Sequence, residues 1–259
     1  MLPETKIIET ETVEFNKPVI LEGLPGIGFV GKIVVDQIVK QLDATKFAEL
    51  ESDYFPPQVS MQEKGLIEPM KNEFFYLKEV GKDKIDLIIL TGNSQGSDFE
   101  GQTAISKTLV DYFEHLQADR IFTLGGLGTG EMIEKSKVFV AGNDLDLVNQ
   151  LLKIDNTEIR KDEGGFIVGA SGLILHYAQK KDIKAACLMG ETPGFYIDPS
   201  AAKEVLLVLF ELLKFEIDLD ELNEQVEDTL KRLANTPQLA PMGVEPQLNK
   251  PNDDLRYIG

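Results

Sequence analysis

Tryptophan is absent, cysteine occurs once and histidine twice in the 259 residues. Each shortage excludes something. A lone cysteine, Cys187, cannot close an internal disulfide, so a reducing, cytoplasmic setting is expected. It sits inside the apolar run 185–189, which marks a small buried hydrophobe rather than a nucleophile. His115 and His176 both fall inside helical patterns, away from the loops, and neither suits a general base. No His, Cys and carboxylate spacing makes a metal site, and Ser94, Ser97 and Ser171 have no evident histidine partner. No metal or cofactor is expected, and an enzyme has little to work with. Arginine is scarce as well, at positions 120, 160, 232 and 256 only, and the formal net charge is −18. Such a chain repels nucleic acid and anionic membrane, which are bound through Lys and Arg. No apolar run reaches the ~18 residues of a membrane span, and the first six residues carry no secretory-signal pattern.

What is present is an alternation of short apolar runs and helical periodicities. Residues 17–22, 45–50, 85–90, 120–124, 138–141 and 183–189 read as strands. Residues 28–42, 103–116, 144–152, 168–179 and 200–215 read as helices; Asp198-Pro199 gives the last an N-cap and an N1 proline. The region 56–80, with Val59, Met61, Phe75 and Leu77 around Lys64-Gly65, reads as an antiparallel hairpin region. Alternation of this kind predicts an α/β fold: a mostly parallel, mixed sheet with helices on both faces. Residues 1–215 form this core domain. Residues 216–234 form an amphipathic helix whose Leu219, Leu222, Val226, Leu230 and Leu233 repeat at intervals of three and four. That stripe suits either its own domain or an oligomer contact. Asp218 and Glu221 have the spacing of a capping box. Residues 235–259 hold four prolines and read as a flexible tail with an apolar end, Leu255, Tyr257 and Ile258 before Gly259.

Four glycine-rich segments, 23–31, 92–101, 125–130 and 190–194, each follow a predicted strand. In an open parallel sheet such loops gather at one edge, where ligands bind. Gly26, Gly28 and Gly31 match a dinucleotide fingerprint, and Gly26 through Lys32 nearly match a phosphate loop. Ile33 stands where the magnesium-binding hydroxyl belongs, so the second match is incomplete. A tight strand–helix turn explains the glycines more simply. Asn93, Gln95, Thr129, Glu131 and Glu191 complete a possible ligand edge, although carboxylates near helix starts answer the helix dipole without any ligand. The enzyme alternative is a nucleotide-dependent ligase or a phosphorylase-like transferase working at this edge.

Taken in order, Glu22-Gly23-Leu24-Pro25-Gly26-Ile27-Gly28, Gly125-Gly126-Leu127-Gly128-Thr129-Gly130, Gly169-Ala170-Ser171-Gly172-Leu173 and Gly190-Glu191-Thr192-Pro193-Gly194 resemble the proteasome assembly chaperone family, in its archaeal branch. The likeness spans roughly residues 15–215. It implies a three-layer α/β fold of the phosphorylase and hydrolase type, and a non-catalytic role. The expected partners are the proteasome core particle or its α-subunits, bound without ATP, and further copies of the chain itself. Some members carry a C-terminal hydrophobic–tyrosine–any tripeptide that docks between proteasome α-subunits. Here Tyr257 stands one place too early for that pattern, with Ile258 at the penultimate position. A flexible spacer ending in Leu255, Tyr257, Ile258 and Gly259 still suits a tether that gains by avidity in an oligomer.

Overall fold

The computed structural model describes residues 3–160 and 165–235. The tail beyond Asn235, including Leu255, Tyr257, Ile258 and Gly259, lies outside the described residues. The architecture is a three-layer α/β fold around a nine-stranded mixed sheet. In chain order the strands are β1 (Thr5–Glu9), β2 (Val19–Glu22), β3 (Thr45–Ser52), β4 (Val59–Met61), β5 (Ile67–Pro69), β6 (Asn72–Val80), β7 (Ile85–Gly92), β8 (Arg120–Gly128), β9 (Val138–Gly142), β10 (Thr157–Glu158) and β11 (Lys184–Thr192). The helices are α1 (Val30–Gln41), α2 (Phe99–His115), α3 (Leu145–Leu151), α4 (Gly169–Lys180), α5 (Pro199–Leu213) and α6 (Asp220–Asn235). The large sheet has the order β1-β3-β6-β7-β2-β8-β11-β9-β10, and β4 and β5 pair only with each other.

The four central strands, β7, β2, β8 and β11, are parallel. They are also the most apolar, because helices cover both faces of their middle stretches, where the side chains are buried. One core layer joins β2, β7, β8, β9 and β11 to α1, α3, α5 and the start of α6. The other joins the opposite face to α2 and α4. Outside this centre, β1, β3 and β6 pair antiparallel. On the α1 side, beside the partly buried Phe75 and Leu77 of β6, ion pairs join Lys46 to Glu73 at 2.7 Å, and Lys71 to Glu68 at 2.7 Å and Glu73 at 3.0 Å.

Helix starts follow their caps. The side chains of Asp98, Asp144 and Asp198 accept from the amides of Gly101 (2.7 Å), Leu147 (2.8 Å) and Ala201 (3.0 Å), at α2, α3 and α5. The capping box expected at α6 does not form. Asp218 accepts from the Asp220 amide at 2.8 Å, while Glu221 turns away to Lys40 Nζ at 2.6–2.7 Å. A lysine within reach outbids a backbone amide for that carboxylate. Two further expectations change. β1 and β10 are strands that composition did not signal, each held by an edge pairing. The glycine segments 125–130 and 190–194 are largely strand, since β8 and β11 stay paired as far as Gly128 and Thr192.

Candidate docking edge

Running parallel, β7, β2, β8 and β11 bring their carboxyl ends to one edge. The chain leaves β2 for β7 on one side and later passes to β8 on the other, so the order reverses at β2. A ligand crevice is expected at such a point. Here the chain's own 3-10 turn at Ile27–Phe29 fills it. A side chain on Gly126 would collide with the Ile27 carbonyl oxygen, and one on Gly31 with that of Leu124. The Ile27 side chain lies against Gly128 and Gly194. Gly28 takes φ +61°, which glycine tolerates at no steric cost, and its carbonyl accepts from the Asp198 amide at 2.9 Å. These glycines let backbone lie on backbone.

Lys32 does not reach over that turn. It pairs with Asp36 one helical turn on, and the second Asp36 oxygen accepts from Thr91 Oγ1 at 2.8 Å. Both groups line a cleft of about 390 Å³ between α1 and the β6–β7 ends, together with Lys40, Lys71, Glu73 and Phe75. Lys40 and Lys71 are also paired, with Glu221 and with Glu68 and Glu73, so the lysines there already meet carboxylates.

The polar candidates mostly hold backbone. Gln95 Nε2 donates to the Pro25 oxygen at 2.7 Å, and its Oε1 accepts from the Ala170 amide at 3.0 Å, joining the β2 loop to α4. Asn93 accepts from the Lys71 amide at 2.9 Å and donates to the Pro69 oxygen at 3.2 Å. Thr129 donates to the Glu131 oxygen at 3.1 Å. Glu131 is exposed and Glu191 half-buried, and no bond joins them. Sequence reasoning missed Glu22 as a titrating group. It is buried at the end of β2, and Ser171 Oγ donates to it at 3.2 Å. Burial pushes its carboxyl up to about 7, against the opposing pull of the Ser171 and Leu24 bonds. An acidic residue closing an otherwise apolar buried strand was the available signal.

The outward feature of this edge is apolar. Among the described residues seventeen large apolar side chains are exposed, and all but Ile8, Leu145, Ile159, Leu207 and Leu230 belong to segments at or beside the carboxyl ends. Ile27 and Phe29 come from the β2 turn, Phe195 and Ile197 from the loop after β11, Phe166 and Val168 from the approach to α4. These side chains give the edge an apolar rim. Phe29 is the sharpest case. It is 42% exposed and stands at φ 53°, ψ 20°, a left-handed conformation costly for a bulky residue. The fold holds this ring outward against a local preference.

The amphipathic stripe divides. Leu222 is 1% exposed within the chain's own core and Leu219 packs against that core. Val226 and Leu233 are half-buried and Leu230 is 53% exposed.

Among the described residues no three His, Cys, Asp or Glu side chains are grouped to hold a metal ion, and no helix is long and apolar enough to cross a membrane. The nine-stranded mixed sheet and the helices on both of its faces define a three-layer α/β domain. The particular family follows from comparison: residues 20–236 match the model of the PAC2 family, and the chain belongs to it. The uncharacterized protein MJ1210 of Methanocaldococcus jannaschii is 36% identical, over 98% of this chain and 96% of the relative. The crystal structure of Pyrococcus furiosus PbaB, an archaeal proteasome activator, is 35% identical with a TM-score of 0.85, covering 89% of this chain and 98% of that one. Pyrococcus furiosus PbaA, an archaeal homolog of proteasome-assembly chaperone, is 26% identical with a TM-score of 0.72, covering 89% and 95%. Activator and assembly chaperone are binding roles, in keeping with a non-catalytic chain.

Proposed function

We propose that this chain is a cytoplasmic, homo-oligomeric binding factor for the proteasome core particle or its α-subunits, acting as an assembly chaperone or an activator. The observation that carries the reading is the likeness to an archaeal proteasome activator, at 35% identity and a TM-score of 0.85. The apolar carboxyl edge supplies a surface of the required kind. Self-association uses the outer half of the α6 stripe, Val226, Leu230 and Leu233, with Leu219 and Leu222 anchoring the helix to its own domain. Leu255, Tyr257, Ile258 and Gly259 act as a tethered anchor beyond the proline-rich spacer. Immobilised archaeal core particles and free α-subunits test the reading. The full chain should be retained by one of them at micromolar concentration, and retention by neither would sink it.

A further inference from the structure

Register sets three polar side chains in one row. Glu22, Thr123 and Cys187 are partners across β2, β8 and β11. Two residues earlier in each strand stand Ile20, Ile121 and Ala185, which belong to the core layer under α2 and α4. Side chains alternate along a strand, so the polar row faces the same two helices. The bond from Ser171 of α4 to Glu22 agrees with that direction. The row is sealed from water: Glu22 is 1% exposed, and Thr123 and Cys187 are 0%. Yet Thr123 Oγ1 has no hydrogen-bond partner among the described residues, and the Cys187 thiol beside it is a weak donor. Glu22 accepts from Ser171 and from the Leu24 amide, so the proton it carries below about pH 7 still lacks an acceptor. Polar groups left unpaired at this depth cost about 1–3 kcal/mol each, and a partner for them needs room.

That room lies one step further along the same face. Gly125 is two residues beyond Thr123 and half-buried, and a side chain added there would meet nothing within 4 Å. Gly126, on the opposite face, would strike the Ile27 oxygen at 2.3 Å. The turn at Ile27–Phe29 therefore fills the switch point on the α1 face and leaves a recess on the α4 face. Met189, the register partner of Gly125, and Leu24, two residues past Glu22, give it buried apolar walls. The first turn of α4, which has no side-chain cap of its own, adds backbone amides. Charge selects what fits. No cationic side chain bonds to the polar row among the described residues, so an anion would meet Glu22 without a counter-charge. A cation would meet a carboxyl that holds its proton, and either ion is costly to desolvate unpaired. A group that both accepts and donates without charge suits the row. We propose that the recess beside Gly125 binds a small uncharged amide, its carbonyl accepting from Glu22, its N–H donating to Thr123 Oγ1 and its carbon end lying between Leu24 and Met189. This site is separate from the proposed proteasome contact and stands whether or not that contact forms.

Methionine-methyl NMR on the full chain tests it, with propionamide as the probe near pH 6, where Glu22 keeps its proton. The chain has 6 methionines, and Met189→Leu identifies the Met189 signal. Propionamide should shift that signal saturably and leave the signal of the exposed Met61 in place. Propionate, of the same shape but charged, should bind about tenfold more weakly or worse. Gly125→Leu should fill the recess, keep the melting temperature and abolish the shift. Thr123→Val keeps the shape and removes the hydroxyl, and should weaken binding about fivefold. A wild type without a saturable Met189 shift overturns the site. Equal binding of propionate, or unchanged binding by Thr123→Val, overturns the assigned chemistry. A Gly125→Leu chain that folds and still responds places the probe elsewhere, and one with a lowered melting temperature shows the space closed; both overturn the inference.

Discussion

At the scale of the residue, the carboxyl edge separates groups that pack from groups that face outward. Gly31 permits α1 to lie on the Leu124 carbonyl, whereas Lys32 beside it forms a half-exposed pair with Asp36. Gly31→Ala should therefore destabilise by about 1–3 kcal/mol through overpacking, and Lys32→Ala by no more than about 1 kcal/mol. Thermal unfolding of the two variants separates a packing turn from a phosphate site, in which Lys32 would matter to ligand binding and Gly31 less to stability. Phe29 makes the opposite trade. Phe29→Asn suits a left-handed backbone and should hold or raise the melting temperature by relieving ~1 kcal/mol of strain, while weakening retention on core particles. A lowered melting temperature with normal retention would mean that the ring packs rather than docks. Glu22 links stability to pH. Its folded carboxyl titrates at about 7 against a reference of 4.5, so the folded state keeps a proton that the unfolded state has released. The stabilisation this gives is complete below pH ~4.5 and is lost as pH rises through ~7, about 3 kcal/mol in all. Glu22→Gln keeps an acceptor for Ser171 and should remove that loss; melting curves from pH 4 to 8 should diverge only toward the upper end.

At the scale of the element, α6 shows that one periodic stripe can serve two surfaces. Its first turn is fastened by Leu222 in the core and by the Lys40–Glu221 pair, while Leu230, two turns on, stands exposed. Leu222→Ala should cost about 2–5 kcal/mol from the cavity it opens and leave the mass per particle unchanged. Leu230→Ser should barely move the melting temperature and, if the outer half joins subunits, should lower the mass seen by light scattering. Equal losses of stability in both variants would place the whole stripe inside one domain. The same logic separates β7 from β6. β7 is covered on both faces and is apolar but for Asp86 and Thr91, whereas β6 carries Glu73 and Lys78 because parts of its surface meet water.

At the scale of the whole molecule, a net charge of −18 disfavours the approach of acidic partners and of further copies through charged surface. The proposed tether belongs to this scale, because a tether acts through its reach. Deleting residues 236–259 should leave the melting temperature unchanged, as expected of a proline-rich stretch without a periodic apolar face. Deleting residues 254–259 alone should weaken retention on core particles nearly as much. Retention equal to that of the full chain would move the whole contact onto the α/β domain.

Much of the fold was legible in the residues alone. Apolar runs such as 85–90 mark strands buried on both faces, and Asp198 before Pro199 marks the start of α5, because strand burial and capping act within a few residues; α2 starts at Phe99, ahead of the expected 103. The ordered glycine motifs likewise pointed to the family whose model matches residues 20–236. Other features were decided only by tertiary structure. Leu222 and Leu230 belong to one apolar stripe, yet one is buried and the other exposed, since periodicity defines a face without naming what covers it. Glycines 126 and 128 looked like loop and are strand, because only the neighbouring β11 supplies their hydrogen-bonding partners. Glu22 closes an apolar run, but its raised carboxyl comes from burial among strands distant in sequence. Short-range physics is written into the order of the residues; desolvation, close backbone approach and the choice of exposed face arise only when distant segments meet.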